Sequence, residues 1–271
     1  MLRKNEKQLL YLISICGRTT RLRLVKTMFL ISQRTRAYNF VPYRWGPYSF
    51  QMYHDLLHLE KEGYVYQEEK DVILRNCDFP HPDPYLERII ENYKDKVFTN
   101  ENYIDEIYNN YPEYTILSEY KKLQDYERNE TGMSTIGYEG KDIDQFLYDL
   151  VKNKITLVID VRRNPFSMKY GFTMNKLVSY LEKMGIKYVH MPELGIGSEK
   201  RKDLKTEQDY KKLFMEYSTH LISKKEELEH LKKLSKKEKV ALLCFEADPK
   251  KCHRGVIAEE LRKGGIVVED L

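Results

Sequence analysis

The sequence predicts an α/β fold. A Rossmann-like, mostly parallel five-strand sheet forms the C-terminal part, and a winged-helix-like domain and a helical connector precede it. Two patterns predict this. Three helical segments and a short hairpin fill the first 75 residues, and apolar runs alternate with amphipathic helices from residue 131 onward. An acidic, tyrosine-rich segment separates the two patterns. We therefore expect three segments, with the bounds 1–75, 76–130 and 131–271.

The first segment contains three predicted helices. Apolar side chains at helical spacing define them, at 5–16, 22–32 and 50–62. Thr19 or Thr20 is the expected N-cap of the second helix and Ser49 that of the third, because short hydroxyl side chains accept hydrogen bonds from the first backbone amides of a helix. An aromatic, turn-rich insert at 40–49 separates these two helices. The apolar runs that follow, up to residue 74, predict a small hairpin, which completes the element order of a winged helix.

The second segment carries 13 acidic and 6 basic side chains, a net charge of −7. Three prolines near its start, at 80, 82 and 84, exclude a helix interior there. Helical periodicity follows at 85–96 and 103–111. Two interpretations remain open: a connector that packs its tyrosines on the flanking domains, or an acidic cover over the basic N-terminal face.

The third segment alternates strands with helices. The predicted strands are 134–138, 155–161, 186–190, 239–245 and 266–268, and the helices are 143–150, 175–184, much of 207–234, and 252–263. The runs at 155–161 and 239–245 are almost continuously apolar, as strands buried on both faces require. Successive βαβ units of this kind form a parallel sheet between two layers of helices.

Positive charge is concentrated near the N-terminus. The formal net charge is only +4, but no acidic residue occurs between Lys7 and Tyr53. A basic, helical stretch is typical of contacts with phosphate backbones, so we expect nucleic acid as the partner of this domain. The candidate contacts are Arg18, Arg21, Arg23, Lys26, Arg34, Arg36 and Arg44. Winged helices also serve as protein-interaction modules, and the aromatic residues at 43–48 either stack on bases or pack their own turn.

Composition argues against several protein classes. Four widely spaced cysteines do not form a disulfide framework. No apolar run approaches the ~18 residues of a membrane span. The short apolar stretch near the start lacks a small-residue cleavage site and is followed by arginines, unlike a signal peptide. We therefore expect a cytoplasmic protein with reduced thiols and no membrane contact.

Candidate site residues follow the predicted strands. In open parallel sheets, ligands bind beyond the carboxyl ends of the strands. Polar segments follow four of the strands and begin at Gly137, Asp160, Pro192 and Cys244. We expect them to form one rim that binds a phosphate-bearing small molecule or a nucleotide. The candidate ligand-binding residues are Gly137, Tyr138, Arg162, Arg163, Pro165, Gly195, Cys244 and Arg254.

The same rim segments carry motifs of a known family. The motifs are Ile136-Gly137-Tyr138, Asp160-Val161-Arg162 with Pro165, Leu194-Gly195, and Cys244-x-Glu246-x-x-Pro249-x-x-Cys252-His253-Arg254. They resemble the family catalogued as domain of unknown function 488, over most of residues 134–271. The resemblance implies a Rossmann-like fold and no particular reaction. Where many members have a paired glycine after the leucine, this chain has Gly195-Ile196-Gly197.

The candidate catalytic residues are Asp160, Glu246, Cys252 and His253. Two carboxylates on different strands suit acid and base roles, unless one pairs with an arginine to seal the end of the sheet. Cys252 begins a helix among cations, which favours its thiolate and suits a nucleophile paired with His253; alternatively it is a small buried residue. We expect no metal at Cys244, Cys252 and His253, because their spacing is not a zinc pattern and adjacent side chains diverge.

Three functional hypotheses follow. The first is a nucleic-acid- or nucleotide-processing protein with a phosphate-binding rim. The second is a ligand-sensing DNA-binding regulator without catalysis, and the third is a protein–protein module with an inert rim. Detection of a reaction product separates the first from the second. The sequence does not identify a cofactor.

Overall fold

A computed structural model, which describes residues 2–201, 204 and 206–271, separates the chain into two units, Met1–Tyr126 and Glu127–Leu271. Each unit has its own cluster of buried apolar side chains. No described helix is long and apolar enough to cross a membrane.

Antiparallel strands and helices build the first unit. In chain order its elements are α1 (Lys4–Cys16), β1 (Arg18–Thr20), α2 (Arg21–Thr35), β2 (Val41–Tyr43), β3 (Gly46–Tyr48), α3 (Phe50–Lys61), β4 (Val65–Glu68), β5 (Asp71–Leu74), α4 (Pro84–Thr99) and α5 (Tyr103–Asn110). Strand β5 pairs with both β4 and β1, which gives the order β1-β5-β4. The three predicted helices and the hairpin are present, whereas β1 and the β2–β3 ribbon lie outside the sequence prediction.

The helix starts in this unit follow the expected capping residues. Thr20 Oγ1 accepts a hydrogen bond from the backbone N–H of Arg23 at 3.2 Å, and Ser49 Oγ accepts one from that of Met52 at 3.1 Å. Each bond satisfies a donor that the first turn of a helix would otherwise leave open.

Helices α4 and α5 pack on the core of the first unit. Ile90, Val97 and Tyr103 are buried in the cluster that contains Leu9 of α1 and residues of α2. The hydroxyl of Tyr11 donates to Glu91 Oε1 at 2.7 Å. The acidic segment therefore contributes both apolar and polar contacts to the unit that carries the basic stretch.

A parallel sheet forms the second unit. Its elements are β6 (Gly132–Gly137), α6 (Ile143–Lys152), β7 (Leu157–Asp160), α7 (Met174–Lys183), β8 (Lys187–His190), α8 (Glu207–Ile222), α9 (Lys225–Ser235), β9 (Lys239–Cys244), α10 (His253–Lys263) and β10 (Val268–Asp270). The strand order is β10-β6-β9-β7-β8, and all neighbouring strands are parallel. The predicted five-strand parallel sheet is confirmed. The predicted helix over 207–234 is instead two helices, because the backbone leaves helical geometry at Lys224, with ψ at 41°.

Both faces of the central strands are covered. Helices α8, α9 and α10 share a cluster with Ile159 of β7 and Leu242 of β9. Phe146 and Leu150 of α6 are fully buried outside that cluster, and β7 is buried at every position. Burial on both faces explains why the sequences of these strands are continuously apolar.

Candidate functional site

The carboxyl ends of β6, β9 and β7 lie side by side, because these strands are neighbours in the sheet. The segments that follow them, together with the segment after β8, line a cavity of about 510 Å³, which we call the rim cleft. Its lining residues are Tyr138, Arg162, Arg163, Asn164, Phe166, Ser167, Ile196, Gly197, Glu199, Cys244 and Phe245. The fold thus brings together four predicted ligand-binding residues, namely Tyr138, Arg162, Arg163 and Cys244.

Asp160 and Arg162 form a buried ion pair beside the cleft. Arg162 Nε donates to Asp160 Oδ1 at 2.8 Å, and Arg162 Nη2 donates to Oδ2 at 2.5 Å. The backbone N–H of Arg162 and the hydroxyl of Tyr188 also donate to this carboxylate, at 3.0 and 2.8 Å. Burial disfavours the charge on Arg162, but the hydrogen bonds and charge of Asp160 prevail and raise the pKa of Arg162. The predicted pairing of a strand-end acid with an arginine is therefore present.

Tyr138 holds the other side of the Arg162 guanidinium. Arg162 Nη1 donates to the Tyr138 hydroxyl at 3.0 Å and to the Phe172 carbonyl at 2.9 Å. The Tyr138 ring stacks on that of Phe172, with centroids 4.2 Å apart. These contacts fix the Arg162 side chain in one orientation. Arg162 also lines the rim cleft.

Arg254 supports the loop after β9 instead of lining the cleft. The guanidinium is fully buried, and its Nη1 and Nη2 donate to the carbonyl oxygens of Glu246 and Ala247, the latter at 2.8 Å. We predicted that Arg254 binds an anion, but these hydrogen bonds already occupy its Nη1 and Nη2 groups. Gly137 approaches the same loop so closely that a Cβ atom there would lie 1.9 Å from the Glu246 carbonyl oxygen.

Arg163, Gly195 and Pro165 shape the other side of the cleft. Arg163 is exposed, and its Nη1 donates to the carbonyl of Pro192 at 3.2 Å. A Cβ atom on Gly195 would lie 2.3 Å from the backbone nitrogen of Arg163, so only glycine lets these two loops approach. The carbonyl of Pro165 accepts the N–H of Met174 at 3.0 Å, at the start of α7. Gly195 and Pro165 therefore position backbone around the cleft.

Cys244, Cys252 and His253 form a buried cluster at the end of β9. One ligand atom of each lies within 4.8 Å of the others. Cys244 Sγ is 3.6 Å and Cys252 Sγ 3.9 Å from His253 Nδ1. Glu246 Oε2 lies 3.4 Å from Cys244 Sγ. The expectation that adjacent Cys252 and His253 diverge is wrong, because α10 begins at His253 and turns the imidazole back toward both sulfur atoms.

Burial also changes the expected reactivity of Cys252. Desolvation raises the pKa of its thiol well above the ordinary value, and the neighbouring Cys244 adds to the rise. The sequence argument relied on the helix start and nearby cations to favour the thiolate. The thiol is only 1% exposed, where desolvation outweighs those charges, so its burial agrees with the alternative of a small buried residue.

Several basic residues of the first unit are engaged within that unit. Arg18 pairs with Glu68 and Asp71, at 3.4 and 2.6 Å, and Arg44 pairs with Glu119 at 3.2 Å. Arg21 Nη1 and Nη2 donate to Gln67 and to the carbonyl of Glu69. These acidic and carbonyl groups lower the positive potential that the sequence predicts.

The remaining basic residues differ in exposure. Arg23 is half-buried and lies over the rings of Phe98 and Tyr103. Arg34 and Arg36 are exposed, and Arg34 Nε donates to the Tyr93 hydroxyl at 3.3 Å. Lys26, by contrast, is buried, and its ammonium group donates to the carbonyl oxygens of Trp45 and Pro47. Burial lowers the pKa of Lys26 to about 7. Its predicted contact with a nucleic-acid phosphate does not fit this position.

Sequence reasoning misses three residues that support the cleft. Tyr188 lies within β8, and only the pairing of β8 beside β7 brings its hydroxyl to Asp160. Phe172 stacks under Tyr138, and Lys169 Nζ donates to the Tyr138 carbonyl at 3.1 Å. Burial lowers the pKa of Lys169. None of the three follows a strand directly, so the strand-end rule could not indicate them.

The comparison with known families agrees with the C-terminal resemblance. Residues 142–261 match the family described as Domain of unknown function DUF488. The matched range includes Asp160, Arg162, and the motif from Cys244 to Arg254. No curated protein and no solved structure matches the chain significantly.

Proposed function

We propose that the rim cleft binds a phosphate-bearing aromatic molecule, most simply a nucleotide, and that the chain is a nucleic-acid- or nucleotide-processing protein. The observation that carries the proposal is the exposed guanidinium of Arg163 beside aromatic side chains in one cleft. Arg162 lines the same cleft, but its donors are held by Asp160, Tyr138 and Phe172, so it contributes positive charge instead of paired hydrogen bonds. Guanidinium groups bind phosphate through paired N–H donors. A volume of about 510 Å³ lies within the range that small-molecule sites occupy.

Exposed aromatic rings support the choice of an aromatic ligand. Phe166 is 67% exposed and Phe245 is 42% exposed, and both line the rim cleft. Large apolar side chains that remain in water at a concave site are typical of ligand contacts. Stacking on a base would remove both rings from water.

For the first unit we propose a winged-helix-like module that contacts nucleic acid. Three helices, with β1 pairing with the hairpin strand β5, support this proposal. The proposed contacts retain Arg18, Arg21, Arg23, Arg34, Arg36 and Arg44, and Lys26 is left out because it is buried. Helices α4 and α5 of the predicted connector would stabilise this module, since they pack on its core.

A ligand-sensing regulator without catalysis is the second candidate. The observation that favours it is the hydrogen bonding of Asp160, whose carboxylate already accepts bonds from Arg162 and Tyr188. A carboxylate engaged in this way suits the positioning of Arg162 better than it suits proton transfer.

Calorimetric titration of the full chain with ribonucleoside monophosphates, and separately with inorganic phosphate, tests the proposal. We expect the nucleotides to bind more tightly than phosphate, and Arg163→Gln to weaken both by about 10-fold or more, because a charged hydrogen bond contributes about 1.5–3 kcal/mol. Phe166→Ala should remove the preference for nucleotides. The matched control is Arg88→Gln, an exposed arginine on α4.

Two results would contradict the proposal: no nucleotide binding at all, or equal effects of the Arg163 and Arg88 substitutions. Chromatography of the titrated mixture then separates the two candidates. A new product indicates processing, and an unchanged bound nucleotide indicates sensing.

A further inference from the structure

We propose that Cys244, Cys252 and His253 bind a Zn²⁺ ion, with the fourth position open to water or, after a side-chain movement, to Glu246. The three residues are buried together at the end of β9 and the start of α10. This proposal is separate from phosphate binding in the rim cleft, and its test does not depend on a nucleotide.

The distances within the cluster fit tetrahedral zinc. With Zn–S near 2.3 Å and Zn–N near 2.05 Å, tetrahedral angles place sulfur and nitrogen about 3.6 Å apart. The two Sγ–Nδ1 distances are 3.6 Å for Cys244 and 3.9 Å for Cys252. These two separations lie within a few tenths of an ångström of the tetrahedral value, and all three ligand atoms lie within 4.8 Å of one another.

The imidazole of His253 presents the correct nitrogen to the cluster. Its Nε2 lies 3.0 Å from the carbonyl oxygen of Val161. A carbonyl oxygen only accepts hydrogen bonds, so Nε2 must carry the proton and Nδ1 the lone pair. This second hydrogen bond is the usual way in which a protein orients a metal-binding histidine. Tyr217 packs edge-on against the same ring, at 5.7 Å between centroids.

The ligand types select the cation. Two thiolates with one imidazole favour Zn²⁺ over hard cations such as Mg²⁺ and Ca²⁺, which prefer oxygen. Glu246 is half-buried, and its Oε2 lies 3.4 Å from Cys244 Sγ but outside the cluster of three ligand atoms, so its side chain must move to become the fourth ligand. Cys244 also lines the rim cleft, which gives the ion a route from solvent.

The primary test measures metal in the full chain, purified without a polyhistidine tag under reducing conditions. We expect about one zinc ion per chain by elemental analysis. After exchange for Co²⁺, we expect a thiolate-to-cobalt charge-transfer band in the near ultraviolet and intense visible bands of tetrahedral cobalt. A folded wild-type chain that lacks zinc and shows no thiolate band with Co²⁺ would overturn the proposal. So would a disulfide between Cys244 and Cys252 in the reduced preparation.

Variants locate the ion. Cys252→Ser and His253→Asn should lose the metal, whereas Cys77→Ser, which changes an exposed cysteine, should keep it. Glu246→Gln should keep the thiolate band and shift the visible bands, and unchanged visible bands would remove Glu246 from the ligand set. Loss of the thiolate band in Cys77→Ser would place the ion elsewhere and overturn the assignment. Circular dichroism identifies variants that fail to fold, and the wild-type cobalt spectrum is independent of them.

Discussion

At the scale of single residues, the Asp160 carboxylate accepts several hydrogen bonds, which fix its position and make it poorly suited to proton transfer. It is buried at the end of β7 and accepts bonds from Arg162 and Tyr188. Arg162 is itself only 5% exposed. Each charge in such a pair is tolerable only because the other is present. The pair therefore couples the stability of the sheet end to the shape of the rim cleft.

Asp160→Asn should consequently destabilise the second unit. Removal of one partner from a buried pair leaves the other charge uncompensated, at a cost of about 3–5 kcal/mol. At roughly 2–4 °C per kcal/mol for a chain of this size, Tm should fall by about 6 °C or more. Thermal unfolding followed by circular dichroism measures this. Glu259→Gln, which changes an exposed acid on α10, is the control and should leave Tm nearly unchanged. Equal Tm values for both variants would show that Arg162 does not depend on Asp160.

The sequence predicts which strand ends carry candidate site residues. It does not predict which of their side chains come into contact. Asp160 and Arg162 could be assigned to the rim because they follow an apolar run. The contacts among Cys244, Cys252 and His253 depend on how the eight-residue segment between β9 and α10 folds back, which no spacing rule specifies. Tyr188 likewise reaches Asp160 only through strand pairing.

At the scale of elements, segments with an apolar pattern of their own were predicted, and elements or breaks without one were not. Strands β7 and β9 are apolar over their whole length because both faces are buried. Strand β1 has only three residues, Arg18–Thr20, and becomes a strand through its pairing with β5. The break at Lys224 between α8 and α9 has no glycine or proline to indicate it. Local pattern is thus sufficient only where the element carries its own periodicity.

The close approach of β6 to the loop after β9 predicts the effect of a single methyl group. In Gly137→Ala, the added Cβ would lie 1.9 Å from the Glu246 carbonyl oxygen, so the loop must move. We expect a loss of about 1–3 kcal/mol and weaker metal retention, because the loop contains Glu246 and follows Cys244. Chemical denaturation and zinc content measure the two effects.

Gly264→Ala is the matched control for this substitution. Its Cβ would meet chiefly the flexible end of Lys232, at 2.9 Å, so the side chain can move aside. If Gly137→Ala is as stable as Gly264→Ala, the backbone contact between β6 and the loop is looser than the structure indicates.

At the scale of the whole molecule, folding partly neutralises the positive charge that is concentrated near the N-terminus of the sequence. Arg18 and Arg44 pair with acidic side chains of the first unit, and Lys26 is buried. Arg34 and Arg36 are exposed and form no ion pair within the described residues. The seven basic residues predicted from the sequence should therefore contribute unequally to any affinity for nucleic acid.

The salt dependence of DNA binding by the full chain measures this inequality. For duplex DNA, log K falls with log salt by roughly 0.9 for each phosphate neutralised, so removal of one contact reduces the slope by about 1. We expect Arg36→Gln to reduce the slope by close to that amount. Arg18→Gln should reduce it less, because Glu68 and Asp71 already compensate Arg18. Fluorescence anisotropy at several salt concentrations gives both slopes. Absence of binding at low salt would remove the nucleic-acid proposal, and equal slopes for the two variants would show that the acidic partners of Arg18 release it when DNA binds.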